Sequence, residues 1–168
     1  MCAATPNSDL QSSIVVCGEQ ELQHWVEQRT FSGVISIGDA NRTVPPCLQR
    51  QGFSILRLCF QDTFEVNHPN GPKDHHLRAL LQFGEQIRHA HSPLLIHCLR
   101  GHSRAAAVAL VLLADWMGEG REREAVVTHE HIIGPPKGCL NLQIIKIGDR
   151  IMQRNGQLIS AYLRHASA

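Results

Sequence analysis

The segment LLIHCLRGHSRAAAVALVL, residues 94–112, constrains the fold of this chain more than any other stretch. An apolar run leads into a loop that contains Gly101, and an alanine-rich apolar run follows the loop. The first run is typical of a buried β-strand and the second of a buried helix. The apolar residues 105–114 are too few to span a bilayer, and Asp115 ends them. The segment therefore predicts a strand–loop–helix unit in the protein core.

The rest of the chain alternates strand-like and helix-like patterns in its first two thirds and is mostly helical beyond Gly120. Strands are predicted at 13–17, 33–39, 53–60 and 93–97. Helices are predicted at about 19–29, 75–90, 103–117, 121–133, 141–154 and 157–166. This order favours one α/β domain over residues 1–168, with a central, mostly parallel sheet of four to five strands flanked by helices and a helical C-terminal half.

Composition argues against several classes of protein. The formal net charge of +1 lacks the basic surplus of a general nucleic-acid binder. The first thirteen residues have neither the basic start nor the apolar core of a secretory signal, and the six cysteines include no C-x-x-C pair typical of zinc sites. We therefore expect a cytoplasmic protein with no nucleic-acid partner, no membrane span and no metal site, while its oligomeric state is left open.

The loop between the predicted strand and helix has the physical properties of an anion site. Its backbone N–H groups and the N-terminus of the following helix both provide positive potential. Arg104 can bind two phosphate oxygens at once, Gly101 allows a tight curl, and the same field favours the thiolate of Cys98. The predicted phosphate-binding residues are Leu99, Arg100, Gly101, His102, Ser103 and Arg104.

The sequence IHCLRGHSR resembles the H-C-x-x-G-x-x-R signature of the cysteine-dependent protein tyrosine phosphatases, and is most similar to small bacterial proteins of their dual-specificity-like branch. The resemblance covers most of the chain, but only this loop is specific. It implies a tyrosine-phosphatase-like fold and a phosphomonoesterase without a metal or organic cofactor. Cys98 would attack phosphorus and form a phosphocysteine that water hydrolyses, Arg104 would bind the phosphoryl group, and His97 would orient the loop and help hold the thiolate.

The resemblance also implies an aspartic acid that protonates the leaving oxygen, on a loop about thirty to forty residues before the cysteine. Asp62 follows the third predicted strand and lies 36 residues before Cys98, so it is the first choice. Asp74 is the alternative, although its position favours a helix cap. Asn141 matches a family asparagine that braces the phosphate loop, and a helix N-cap is an equally open interpretation.

Ala105 departs from the family pattern. The family usually has Ser or Thr after the loop arginine, and that hydroxyl donates a hydrogen bond to the cysteine sulfur. Alanine has no hydroxyl, and Ser103 is a doubtful substitute, so the second chemical step should be slow. The alternative is a module that recognises a phosphorylated partner and turns over little.

The substrate is a further open question. The resemblance implies a phosphorylated protein, above all a phosphotyrosyl protein, whereas the additional cations Arg100 and His102 favour polyanions such as inositol phosphates or phosphoinositides. A rhodanese-like sulfurtransferase or an arsenate reductase would also use a cysteine loop, but the presence of Asp62 argues against both.

Two other groups of residues allow a functional and a structural interpretation. Cys59 could form a protective disulfide with Cys98 under oxidation, or could be a buried apolar residue. Histidine clusters occur at 75–76, 89–91 and 129–131. Residues two apart on a helix do not share a face, so we interpret these histidines as solvated helix-face residues rather than metal ligands.

Overall fold

The structure, a computed structural model, describes residues 10, 12–49, 52–134 and 138–167. Within these residues it contains four strands and seven helices. In chain order these are β1 (Ile14–Gly18), α1 (Leu22–Gln28), β2 (Gly33–Gly38), α2 (Pro46–Gln49), β3 (Ile55–Cys59), α3 (Asp74–Ile87), β4 (Leu94–Cys98), α4 (Arg104–Met117), α5 (Glu122–Ile133), α6 (Leu142–Ile151) and α7 (Gln157–Ala166). The predicted α/β class and the helical C-terminal half are confirmed.

The four strands form one sheet in the order β1-β4-β2-β3, and every neighbouring pair is parallel. β4 lies inside the sheet, with Cys98 opposite Gly18 of β1 and His97 opposite Ser36 of β2. Because the strands are parallel, the residues that follow them meet at one edge of the sheet, where α/β proteins place their ligands. The last residue of β4 is Cys98, so this edge contains the predicted nucleophile.

Helix α4 forms the centre of the core. All its residues except Asp115 are buried, and it packs against β4, α5 and α6. A helix that is covered on all sides needs apolar residues on all sides, which explains its alanine-rich sequence. A Cβ atom at Gly148 of α6 would lie 2.7 Å from the Val111 side chain, so the absence of a side chain there permits the close approach of α6.

The start of α3 corrects one expectation. Asp74 does not cap this helix: it is the first helical residue, and Lys73 is the N-cap. The backbone N–H of Lys73 donates to Nδ1 of His76 at 3.0 Å. The Asp74 carboxylate instead forms an ion pair with Arg150 of α6 at 2.6 Å, which holds the pKa of Asp74 below its usual range. Asp74 therefore joins two helices.

The interpretation of the histidines as solvated is wrong for His129. This side chain is buried beneath α4, with Nε2 2.8 Å from the carbonyl oxygen of Ala106. Burial lowers its pKa to about 4, so the ring is neutral at pH 7. His75, His89, His91 and His131 are exposed, as expected.

The short helix α2 is a further difference, since the sequence patterns did not indicate it. Two stretches lie outside the described residues. They are the first nine residues, which make up most of the segment without a secretory-signal pattern, and the predicted helix break at 135–136. None of the helices in the described part of the chain combines the length and the apolar character that crossing a membrane requires.

Candidate active site

The loop between β4 and α4 curls around the sulfur of Cys98. The backbone N–H of Gly101 donates to Cys98 Sγ at 3.2 Å. Gly101 has a φ of +79°, and a Cβ there would lie 2.6 Å from the carbonyl carbon of Cys17 in β1. Both the left-handed backbone and the contact with β1 require glycine. The carbonyl of Leu99 accepts from the N–H of Glu19 at 3.2 Å, which fastens the loop to the end of β1.

The guanidinium of Arg104 is buried and anchored on one side. Its Nη1 donates to Asp39 Oδ1 at 2.9 Å and to the carbonyl oxygen of Phe60 at 2.8 Å. Its buried Nε has no hydrogen-bond partner among the described residues. The anchored Nη1 leaves the opposite edge, which includes Nε, for a ligand, and a pair of oxygens can bind such an edge side by side.

Asp39 is a site residue that sequence reasoning missed. It directly follows β2, just as Phe60 directly follows β3, so both reach Arg104 from the same edge of the sheet. A carboxylate immediately after a buried parallel strand was the signal available in the sequence.

The side chain of Asp62 lies in the same cleft as Cys98 and Arg104, which has a volume of about 550 Å³. Asp62 Oδ1 accepts hydrogen bonds from Ser103 Oγ and from Asn141 Nδ2, both at 2.8 Å. The structure thus brings together the three residues predicted to carry the chemistry. Asp74 lines a different groove, and the role of Asp62 as the acid stays a prediction.

Asn141 both caps a helix and contacts the loop between β4 and α4, which are the two interpretations that the sequence left open. Its Oδ1 accepts from the backbone N–H groups of Gln143 and Ile144, which caps α6. Its backbone N–H donates to the carbonyl oxygen of Ser103 at 3.4 Å, and Nδ2 donates to Asp62 and to the carbonyl oxygen of Thr63. One residue therefore joins the phosphate loop, the loop of Asp62 and the start of α6.

His97 contacts the sheet rather than the sulfur. Its Nε2 lies 2.8 Å from Ser36 Oγ, which also accepts from Arg57 Nη1 at 2.8 Å. Burial and, to a lesser extent, the charge of Arg57 lower the pKa of His97 to about 4. The ring is neutral at pH 7, so it adds no positive charge beside Cys98. No hydrogen bond joins the two side chains within the described ranges.

Ala105 is fully buried at the start of α4. The hydroxyl of Ser103 is engaged with Asp62. Within the part of the chain that the structure describes, the hydrogen bond to the Cys98 sulfur therefore comes from the Gly101 N–H. Among the described residues, no side-chain hydroxyl donates to the Cys98 sulfur in place of the one that Ala105 lacks.

The mouth of the cleft carries the remaining loop side chains. Leu99, Arg100 and His102 are exposed there. Cys139 is exposed and lines the cleft that contains Cys98. Cys59 is also exposed, so its interpretation as a buried residue is wrong, and it lines a neighbouring groove. Among the described residues, no group of three His, Cys, Asp or Glu is arranged to hold a metal ion.

Solved structures with this architecture align over nearly the whole chain. The crystal structure of a human tyrosine phosphatase-like serine/threonine/tyrosine-interacting protein matches with a TM-score of 0.62 and 16% identity, covering 84% of this chain and 91% of that one. DUSP15 matches with a TM-score of 0.60 and 14% identity, covering 91% and 90%. PTPMT1 in complex with PI(5)P matches with a TM-score of 0.57 and 15% identity, covering 87% and 96%.

These matches establish the fold. No family model matches the sequence, and no curated protein matches it. The chain has the fold of the tyrosine and dual-specificity phosphatases, and this confirms the fold that the sequence resemblance implied. Placement in a small bacterial branch stays a prediction.

Proposed function

We propose that the protein is a cysteine-dependent phosphomonoesterase. The observation that supports this most strongly is the cleft shared by Cys98, Arg104 and Asp62. A nucleophile, a guanidinium with one edge anchored and a carboxyl group meet there at the carboxyl edge of a parallel sheet. Such a set supplies attack on phosphorus, charge stabilisation and proton transfer in one place.

The reaction needs two displacements. The Cys98 thiolate attacks phosphorus, forming an S–P bond as the ester P–O bond breaks, and protonated Asp62 transfers its proton to the leaving oxygen. The resulting Asp62 carboxylate then accepts a proton from water as the water oxygen attacks the phosphocysteine. The S–P bond breaks, phosphate leaves, and the thiolate is restored. Arg104 and the loop N–H groups hold the phosphoryl oxygens in both steps.

The second displacement, hydrolysis of the phosphocysteine, should be slow in this chain. When the S–P bond breaks, charge returns to a sulfur that lacks the usual hydroxyl donor because residue 105 is alanine. A hydrogen bond to a charged group contributes about 1.5–3 kcal/mol, which corresponds to about one to two decades in rate. We therefore expect phosphocysteine to accumulate.

Ala105 also favours a second candidate function: a module that binds a phosphorylated partner with little turnover. One protein of the same fold is described as an interacting protein. On either proposal the partner is a phosphorylated protein, which the sequence resemblance implies. The polyanionic alternative has some support from PTPMT1, whose structure contains PI(5)P.

Rapid-mixing kinetics with p-nitrophenyl phosphate test the proposal. We expect a burst of p-nitrophenol stoichiometric with enzyme, followed by a slow steady rate. Cys98→Ser should abolish both phases and retain binding of inorganic phosphate. Ala105→Ser should raise the steady rate by about tenfold to a hundredfold.

Each alternative gives a different result in this experiment. Turnover that survives in Cys98→Ser contradicts the cysteine mechanism. A fast wild-type steady state without a burst, unchanged in Ala105→Ser, contradicts a slow second step. Neither burst nor turnover, with retained phosphopeptide binding, favours the binding module.

A further inference from the structure

Large apolar side chains are exposed beside the cleft. Among the described residues, four large hydrophobic side chains are exposed: Phe64 (53%), Val66 (64%), Leu99 (46%) and Leu163 (47%). Phe64 and Leu99 line the cleft of Cys98, and Val66 lines the groove beside it, between residues 65–74 and α6. We refer to Phe64 and Leu99 as the apolar lip. Single exposed apolar residues are common on protein surfaces, but Phe64 and Leu99 line the same cleft and together form a patch that suits binding.

The backbone beneath the lip is held in place. The carbonyl oxygen of Phe64 accepts from Gln143 Nε2 at 3.0 Å, and the N–H of Glu65 donates to Thr63 Oγ1 at 3.1 Å. The carbonyl oxygen of Thr63 accepts from Asn141. The segment that holds Asp62 in the cleft therefore also holds Phe64 at its mouth, and Leu99 directly follows Cys98.

The charges around the cleft do not select a polyanion. Arg104 is paired with Asp39, and Arg42 in the adjoining groove is paired with Glu19. The Arg100 side chain has no ion pair within the described ranges. The carboxylate of Glu21 lines the adjoining groove together with Arg100. Glu21 offsets Arg100, so a second phosphate group would find no surplus of cations.

We propose that the apolar lip binds bulky apolar side chains next to the phosphorylated residue of a polypeptide substrate. This inference rests on the proposed function, because the phosphate has to enter the cleft of Cys98. The continuity of the lip with the cleft and the balance of charge around it favour a polypeptide over a soluble inositol phosphate. Burial of one such side chain against the lip should improve recognition by about tenfold.

The test compares two phosphotyrosine peptides of equal length and net charge. One carries Leu or Phe on both sides of the phosphotyrosine, and the other carries Ser. We expect kcat/KM to be about tenfold higher for the apolar peptide. In Phe64→Ser this ratio should fall towards one. Leu163→Ser is the matched control, since it removes an exposed leucine from α7, and its ratio should equal that of the wild type.

Binding measurements separate failure of this inference from failure of the proposed function. The dissociation constants of both peptides for Cys98→Ser protein are measured by fluorescence anisotropy. A tenfold preference in binding without wild-type turnover supports the lip and overturns the phosphatase. Turnover of p-nitrophenyl phosphate with equal kcat/KM and equal binding for the two peptides overturns the lip alone.

Two further substrates test the competing occupants. These are inositol 1,4,5-trisphosphate in solution and phosphatidylinositol 5-phosphate at 5 mol% in phosphatidylcholine vesicles, with phosphate release as the readout. If kcat/KM for either exceeds that for the apolar peptide, the polypeptide assignment is wrong. Lower values for both, together with the peptide preference, support it.

Discussion

The orientation of Arg104 depends on a carboxylate far away in the sequence. Asp39 Oδ1 and the carbonyl oxygen of Phe60 both accept from Nη1, and they come from positions directly after two neighbouring strands. Two acceptors on one nitrogen restrict rotation of the guanidinium plane. Asp39 is thus a positioning residue for the edge of Arg104 that we propose binds phosphate. Asp39 also places a negative charge near the proposed anion site. Its orientation of Arg104 should strengthen anion binding, whereas its charge should weaken it.

Asp39→Ala separates orientation from repulsion. If orientation dominates, the inhibition constant of vanadate should rise by about tenfold, because a hydrogen bond to a charged group is lost. Asp39→Asn retains an oxygen acceptor, so its loss should be smaller. The inhibition constants are measured with p-nitrophenyl phosphate as substrate. Tighter vanadate binding in Asp39→Ala would show that the carboxylate acts mainly by repelling anions.

At the scale of elements, the N-terminus of α6 links the loop of Asp62 to the loop between β4 and α4. Asn141 caps this helix with its Oδ1 and donates from Nδ2 to Asp62 and Thr63. The position of the Asp62 side chain therefore depends on where α6 begins. Packing of α6 against α4, permitted by Gly148, sets that position relative to the phosphate loop.

Asn141→Ser separates the role of Asn141 as the cap of α6 from its role as a hydrogen-bond donor to Asp62. Serine is a good N-cap, so Asn141→Ser should lower the free energy of unfolding by about 1 kcal/mol less than Asn141→Ala does. Its shorter side chain lacks the amide that donates to Asp62. We expect kcat/KM, which reports the first displacement, to fall by about tenfold for phosphotyrosine, whose leaving group needs a proton, and to change little for p-nitrophenyl phosphate.

Asn141→Ala is the control for this variant. It removes the cap as well as the amide, so it should cost about 1 kcal/mol of stability beyond Asn141→Ser. Urea unfolding gives the stability, and steady-state kinetics give the two rates. Equal losses of kcat/KM on both substrates would indicate a distorted phosphate loop rather than a displaced acid.

For the whole molecule, three histidines are kept neutral by the folded structure. Burial lowers the pKa of His76, His97 and His129 from 6.5 to about 4. Between about pH 4 and 6.5 the unfolded chain binds protons that the native protein does not. The free energy of unfolding therefore rises with pH through this window, and the stabilisation is lost as the pH falls. The raised pKa of Asp115, caused mainly by burial, works in the opposite direction.

Urea unfolding between pH 5 and 8 should show this dependence. We expect the greatest stability above about pH 7 and a decline towards pH 5 equivalent to the uptake of one to three protons, following the number of shifted histidines. His129→Gln keeps an N–H donor for the carbonyl of Ala106 but does not titrate. Its slope near pH 5 should be smaller by about one proton. An unchanged slope would mean that His129 is protonated alike in both states.

The elements and the phosphate loop could be predicted from the sequence because their causes are local. Apolar periodicity over five to fifteen neighbouring residues indicated all four strands and the longer helices. The short helix α2, with four residues, carries too little pattern to be recognised. Cys98 and Arg104 lie in one contiguous segment, and Asp62 follows a strand directed at the same edge. The catalytic roles of these three residues stay predictions.

What the sequence determined by itself is the class of fold and the segment proposed to bind an anion. Tertiary structure decided which side chains meet there: Asp39 reaches Arg104 across 65 residues, and Asn141 reaches Asp62 across 79. It also decided that His97 faces Ser36 and that His129 is buried. Backbone propensity depends on near neighbours in the chain, whereas these partners depend on the order of strands in the sheet and on the packing of α6 against α4.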